Sequence, residues 1–148
     1  RIYIYGEDHT TEERDKIEEK IIELMPKFIL SEELGPHAYY TKTEMKKSMR
    51  KKLYSISDRT FKLGLYLNTP IIGIDVWDKL PIDIRKRFKI REKTMVRTIR
   101  DYRKRGEIAV IIGDTHLRTI RTKELGPASP INKIKYTVIQ RSRNPEIK

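Results

Sequence analysis

Two tetrapeptides carry the residue types best suited to chemistry in this chain, Gly6-Glu7-Asp8-His9 and Gly113-Asp114-Thr115-His116. An imidazole, with an ordinary pKa near 6.5, gives and takes protons at neutral pH and ligates metals through a ring nitrogen. A neighbouring carboxylate can share the proton-transfer work or complete a metal's coordination. Each tetrapeptide follows an apolar run, Ile2-Tyr3-Ile4-Tyr5 and Ile108-Ala109-Val110-Ile111-Ile112. Glu32, Glu33 and Asp75 follow other apolar runs in the same manner, so acids and imidazoles recur where buried segments end. Gly6 and Gly113 permit a tight turn at each such end. Any sheet places polar residues where its strands leave the core, so the pairing of two similar strings is the informative feature. His37, after Gly35-Pro36, is a weaker candidate, and Trp77 is a candidate either for lining a substrate pocket or for the core.

The elements that must position these residues alternate between two periodicities. Strands are expected at about 1–6, at Phe28-Ile29-Leu30, at Ile71-Ile72-Gly73-Ile74, at 108–112 and at Ile134–Ile139. Between them, apolar spacing predicts a helix ending before Pro26 and a long helix from about 43 to 67. A basic helix is expected from about 90 to 105, and a short one from about His116 to Gly126-Pro127. This order predicts an α/β domain with a mostly parallel sheet of about five strands and helices on both faces. The strand order expected is 3-2-1-4-5, with strand 2 beside strand 1. Strands 1 and 4 are then neighbours at the switch point, and ligands bind outside the carboxyl ends of such strands. One domain over 1–143 is expected, with 144–148 a loose tail.

The 148 residues suffice for a single core, and the absence of cysteine excludes disulfides and cysteine-based metal or thiol chemistry. No apolar run is long enough to span a bilayer and no signal-peptide pattern opens the chain, so a cytoplasmic protein without membrane contact is expected. The richness in Lys, Arg, Glu and Ile suits a thermophile. The net charge of +12 is unevenly spread. Residues 1–33 hold five basic against ten acidic residues, 42–62 hold eight against two, and 85–105 hold eleven against two. The last two segments are candidate phosphate-binding faces, the alternative being solvated helix surfaces. Phosphate-cradling loops, dinucleotide fingerprints, nucleophile elbows and His-Glu-x-x-His helices are all absent from the sequence.

Taken in order, the strings resemble the superfamily that contains the TraB proteins, the Tiki proteases, the erythromycin esterases and the ChaN-type haem-binding proteins. Gly6-Glu7-Asp8-His9 is similar to its first Gly-x-x-His, Ser31-Glu32-Glu33-Leu34 to its strand-2 glutamate, and Ile72-Gly73-Ile74-Asp75 to its strand 3. Arg91-Glu92-Lys93-Thr94-Met95 is similar to its Arg-Asp-x-x-Met helix, with Glu92 in place of Asp, and Gly113–Leu117 to its last Gly-x-x-His-Leu. The resemblance implies a small, metal-assisted hydrolase cleaving an ester or a peptide-type amide, with a small-molecule or peptide substrate. His9, His116 and Glu33 would hold a divalent metal, and Glu33 or Glu32 would activate water, with Glu7 joining the site. Arg91 would hold a carboxylate, and Asp75 and Trp77 would help line the substrate site. A ChaN-like alternative is a haem- or metal-binding module without turnover. A third reading, from the basic segments, is a nucleic-acid-binding protein or nuclease.

Overall fold

The computed structural model describes residues 1–7, 11–35, 38–50, 57–76, 78–118, 121–134 and 138–140. Its most apolar segment, Ile108–Gly113 (β5), is buried along its whole length and lies between β1 (Ile2–Glu7) and β2 (Phe28–Ser31). That is where a parallel strand without an alternating polar face belongs, since helices cover both of its sides. The sheet has six strands in the order β3-β4-β2-β5-β1-β6, where β3 is Tyr39–Tyr40, β4 is Ile71–Gly73 and β6 is Val138–Gln140. All neighbours are parallel except the two-residue edge strand β3, which runs antiparallel to β4.

The α/β class and the adjacency of β1 and β5 follow the expectation; the strand order does not. In the numbering used for the expected 3-2-1-4-5, the observed order is 3-2-4-1-5. Strand β2 flanks β5 rather than β1, and β1 flanks the last strand. The handedness of a crossover is fixed by strand twist, but whether it skips a neighbouring position is not. The helix Thr11–Leu24 (α1) is long enough to carry the chain past one strand position, and β5 fills the vacated place.

Strict alternation divides the sheet residues between two cores. Ile2, Ile4, Phe28, Leu30, Ile108, Val110 and Ile112 pack with Met95, Val96 and Ile99 of α4 (Ile84–Arg103). Tyr5, Ile29, Ile71, Ala109 and Ile111 pack on the opposite face. There they meet α1 through Ile17 and Ile21, α2 (Lys42–Arg50) through Met45, and α3 (Ser57–Leu67) through Phe61 and Leu63. The helix expected over 43–67 is thus found as α2 and α3, with 51–56 outside the described residues. The basic helix starts earlier than its apolar spacing suggests, because Asp83 caps it by accepting from the Lys86 N–H at 2.9 Å. In place of the short helix from His116, the chain makes a 3₁₀ turn at Asp114–Leu117, and a second follows at Pro130–Lys133. Of the strand expected over Ile134–Ile139, the structure describes Val138–Gln140 as strand, Ile134 lies before it as the end of the second 3₁₀ turn, and 135–137 fall outside the described residues. The tail 144–148 lies outside the described residues. Among the described residues, no helix is long and apolar enough to cross a membrane.

Candidate active site at the carboxyl ends of β2 and β5

The period of two that sorts the core also sorts the consecutive glutamates after β2. Phe28 and Leu30 face α4, and Glu32 continues on that side; Ile29 faces α1, and Glu33 continues there. Each glutamate enters a different polar network.

On the α4 side the centre is His116, buried at the end of the turn that follows β5. Its Nε2 lies 3.1 Å from Glu32 Oε2 and its Nδ1 lies 2.7 Å from Glu92 Oε2. The same Glu92 oxygen accepts from Arg121 Nη1 at 2.6 Å. Glu32 is held by its other oxygen, which accepts the Gly113 N–H. A Cβ on Gly113 would lie 2.6 Å from Glu32 Oε1, the far end of that side chain, so a side chain there would push the carboxylate aside. Arg91, just before the buried part of α4, donates Nε and Nη2 to the two oxygens of Asp75 at 2.9 and 2.8 Å. Its Nη2 also lies 3.8 Å from Glu32. The Phe88 ring covers the imidazole at a centroid distance of 5.3 Å. It is flanked by the guanidinium groups of Arg91 and Arg121 at 5.3 and 5.9 Å.

Two carboxylates around one imidazole fix its charge. Burial opposes the imidazolium, but the hydrogen bonds and attraction of Glu32 and Glu92 outweigh it and lift the His116 pKa to about 9. Burial likewise opposes a charged Glu32, yet His116, the Gly113 N–H and Arg91 hold its pKa below the ordinary value. At neutral pH the pair is therefore an imidazolium and a carboxylate sharing one proton. Glu92, anchored by Arg121, sets the orientation of the ring and leaves Nε2 facing Glu32.

The network on the α1 side is centred on Arg14, which is buried. It donates to Glu7 at 3.1 Å, Glu33 at 3.2 Å, Glu18 at 2.9 Å and the Thr60 hydroxyl at 2.6 Å. Thr60 donates in turn to Glu33 at 2.8 Å. Burial pushes the Glu33 pKa up, with Arg14 and Thr60 opposing it. Glu18 also takes Arg59, which bonds to Asp15 as well. These contacts tie β1 and β2 to α1 and α3.

Of the residues singled out in the sequence, Glu32, Asp75, Arg91 and His116 meet in one network. Glu7 and Glu33 meet in the other, with their described contacts running to Arg14 and Thr60. The register sets Glu7 beside Gly113, so His9 follows one member of that pair by two residues and His116 follows the other by three. His9, His37 and Trp77 themselves lie outside the described residues. Among the described residues no group of three or more histidine or acidic side chains is arranged to hold a metal ion. His116 Nε2 and Glu32 Oε2 are two donors 3.1 Å apart, the spacing of neighbouring ligands that each lie about 2.0–2.2 Å from one ion.

Glu92 and Arg121 join the site without having been singled out as site residues. Glu92 has a signal in the sequence, because it precedes Met95 and Val96 by three and four residues and so lies on the apolar stripe of α4. A charged residue on such a stripe needs a buried partner. Arg121 comes from a loop, with no periodicity to mark it. Comparison with known proteins finds no family model, no curated protein and no solved structure that matches the chain.

Proposed function

We propose that the protein is a hydrolase acting on an ester or amide, with Glu32 and His116 as its reacting pair. The observation that carries this reading is the buried His116 ring at the carboxyl ends of the adjacent parallel strands β2 and β5, held between Glu32 after β2 and Glu92 of α4. This is the place where open α/β sheets bind their ligands. The ordered resemblance of the motifs to the TraB-type superfamily supports it independently, and by that resemblance His9 would join from β1.

The geometry supports the following roles. Glu32 takes the proton of an attacking water, and His116 Nε2 returns a proton to the leaving oxygen or nitrogen. Glu92 and Arg121 hold the ring so that Nδ1 stays a donor to Glu92 throughout. Arg91, locked on Asp75, places positive charge beside Glu32 and keeps that carboxylate ionised. In place of the proton they share, His116 Nε2 and Glu32 could hold a divalent metal, which would supply an acidic bound water and polarise the scissile carbonyl instead of the acid and base roles just described. Glu7, Glu33 and Arg14 act as the brace that holds β1 and β2 to the helices on the other face.

The test is a panel of chromogenic esters, amides and peptides, assayed with the metal-stripped chain and again with magnesium, manganese, cobalt, nickel or zinc. Turnover that disappears in Glu32→Gln, with the folded circular dichroism spectrum retained, is the expected result. A panel that stays blank under every metal overturns the proposal.

A further inference from the structure

The outer side of α4 carries Arg85, Lys89, Lys93, Arg97, Arg100 and Lys104 at intervals of three or four residues, so the six share one side of the helix. All six are exposed. They do not stand on a convex face. The segment after the first 3₁₀ turn runs back beside α4, and Arg85 Nη2 ties it there by donating to the Lys123 carbonyl at 2.9 Å. Between helix and segment lie two cavities of about 430 and about 490 Å³, which share Lys93, Pro130 and Lys133 in their walls. Lys133 adds a further cation from the opposite wall, where the Arg121 charge is taken up by Glu92. Among the described residues, the carboxylates in these walls are Glu92 and Asp101, and Glu92 is already matched by Arg121 and His116. Val96, Leu125 and the prolines 127 and 130 supply apolar floor.

We infer that this groove is a binding site for single-stranded nucleic acid, held through its phosphodiester backbone. A small anion satisfies one or two cations, whereas the stripe from Arg85 to Lys104 runs for about 28 Å at 1.5 Å per residue. Only a polyanion with regularly spaced charges meets a row of that length. Each of the six cations in the row can meet one phosphate of such a strand. The concavity selects among polyanions: a single flexible strand enters a cleft of this volume, while a bilayer surface or a duplex meets only its rim. Among the described residues lining the two cavities none is aromatic, and their cations are suited to the phosphodiester backbone, so the proposed binding reads charge rather than sequence. Binding of this kind needs no turnover at His116 and stands whether or not the chain is a hydrolase.

The experiment is fluorescence anisotropy of a labelled twelve-nucleotide single strand titrated with the full chain between 50 and 200 mM salt. With five or six phosphate contacts, each contributing about 0.7 to the slope of log affinity on log salt, binding weakens about one hundred- to three hundredfold across that range. Strands of different sequence bind alike, and the duplex binds less tightly. The triple variant Lys93→Ala, Arg97→Ala, Arg100→Ala flattens the slope by about 2 and weakens binding at least tenfold at 50 mM salt. The matched variant Lys42→Ala, Lys46→Ala, Lys47→Ala removes the same charge from the exposed side of α2 and leaves affinity within about twofold. Should the first triple variant lose its folded spectrum, Lys93→Ala alone flattens the slope by about 0.7. The inference is overturned by the absence of binding at 50 mM salt, or by equal losses in the two triple variants. Retention of the chain on anionic lipid vesicles without oligonucleotide binding overturns it as well.

Discussion

Replacing His116 by glutamine removes the one titrating group at the centre of the site while keeping a side chain able to donate a hydrogen bond. In the folded, metal-free chain the His116 pKa is lifted from 6.5 to about 9 by Glu32 and Glu92, against the effect of burial. A group whose folded pKa is raised binds its proton more tightly in the folded state. Its contribution is complete below the unfolded pKa and is lost as pH rises through the folded one. The window is therefore pH 6.5 to 9, and stability falls as pH rises across it. A tenfold gain in proton affinity on folding is worth about 1.4 kcal/mol, so the whole contribution is about 3 kcal/mol. Urea unfolding with a chelator present, at half-unit steps from about pH 6 to 9.5, reads it directly. The wild-type chain loses about 3 kcal/mol relative to His116→Gln over that range. At the acid end the variant is much the weaker of the two, and at the alkaline end the difference has closed by that amount. A difference between the two chains that stays constant with pH refutes the charged state assigned to His116.

Further outcomes follow from the same contacts. Gly113→Ala places a Cβ 2.6 Å from Glu32 Oε1, at a backbone φ of −62° that alanine accepts, so the side chain of Glu32 must yield. The expected result is a lower His116 pKa by nuclear magnetic resonance titration and a stability loss of about 1–3 kcal/mol from the broken backbone hydrogen bond. Arg14→Ala leaves Glu7 and Glu33 without their shared cation and costs about 3–5 kcal/mol in chemical denaturation, partly recovered by adding Glu33→Gln. Arg91→Lys replaces a two-pronged donor by a point charge at Asp75 and lowers stability by about 1–2 kcal/mol, with a further loss of turnover through Glu32. Gly73→Ala drives a Cβ to 1.8 Å from the Gly35 carbonyl oxygen, backbone against backbone, so soluble folded chain is lost on expression.

Much of the fold is legible in the sequence because burial leaves a strong periodic trace. The apolar run at 108–112 and the spacing of Met95, Val96 and Ile99 both predict elements that the structure contains. Adjacency of the two strands that end in Gly-x-x-His is also as expected. The strand order is not, because the choice between β1 and β5 as the neighbour of β2 depends on which position a crossover skips, and no local residue pattern records that. The antiparallel strand Tyr39–Tyr40 leaves no trace because two residues carry no periodicity. In the site, the ambiguity between Glu32 and Glu33 is of a kind the sequence can narrow. Phe28 and Leu30 alternate with Ile29, which assigns the two glutamates to opposite faces. Knowing which face carries His116 requires the fold. Glu92 marks itself as a charge on an apolar stripe, but its partner Arg121 arrives from a loop whose path only tertiary packing sets.

With Glu32 as the reacting carboxylate and Glu33 as part of a brace, the two neighbouring glutamates should differ sharply in their effect on turnover. The turnover of the wild-type chain on its best ester or amide substrate is measured beside Glu32→Gln and Glu33→Gln under identical metal conditions. Loss of a general base or ligand costs at least about a hundredfold, so Glu32→Gln falls by that factor or more while Glu33→Gln stays within about threefold. A large loss in Glu33→Gln with Glu32→Gln unimpaired contradicts the assignment.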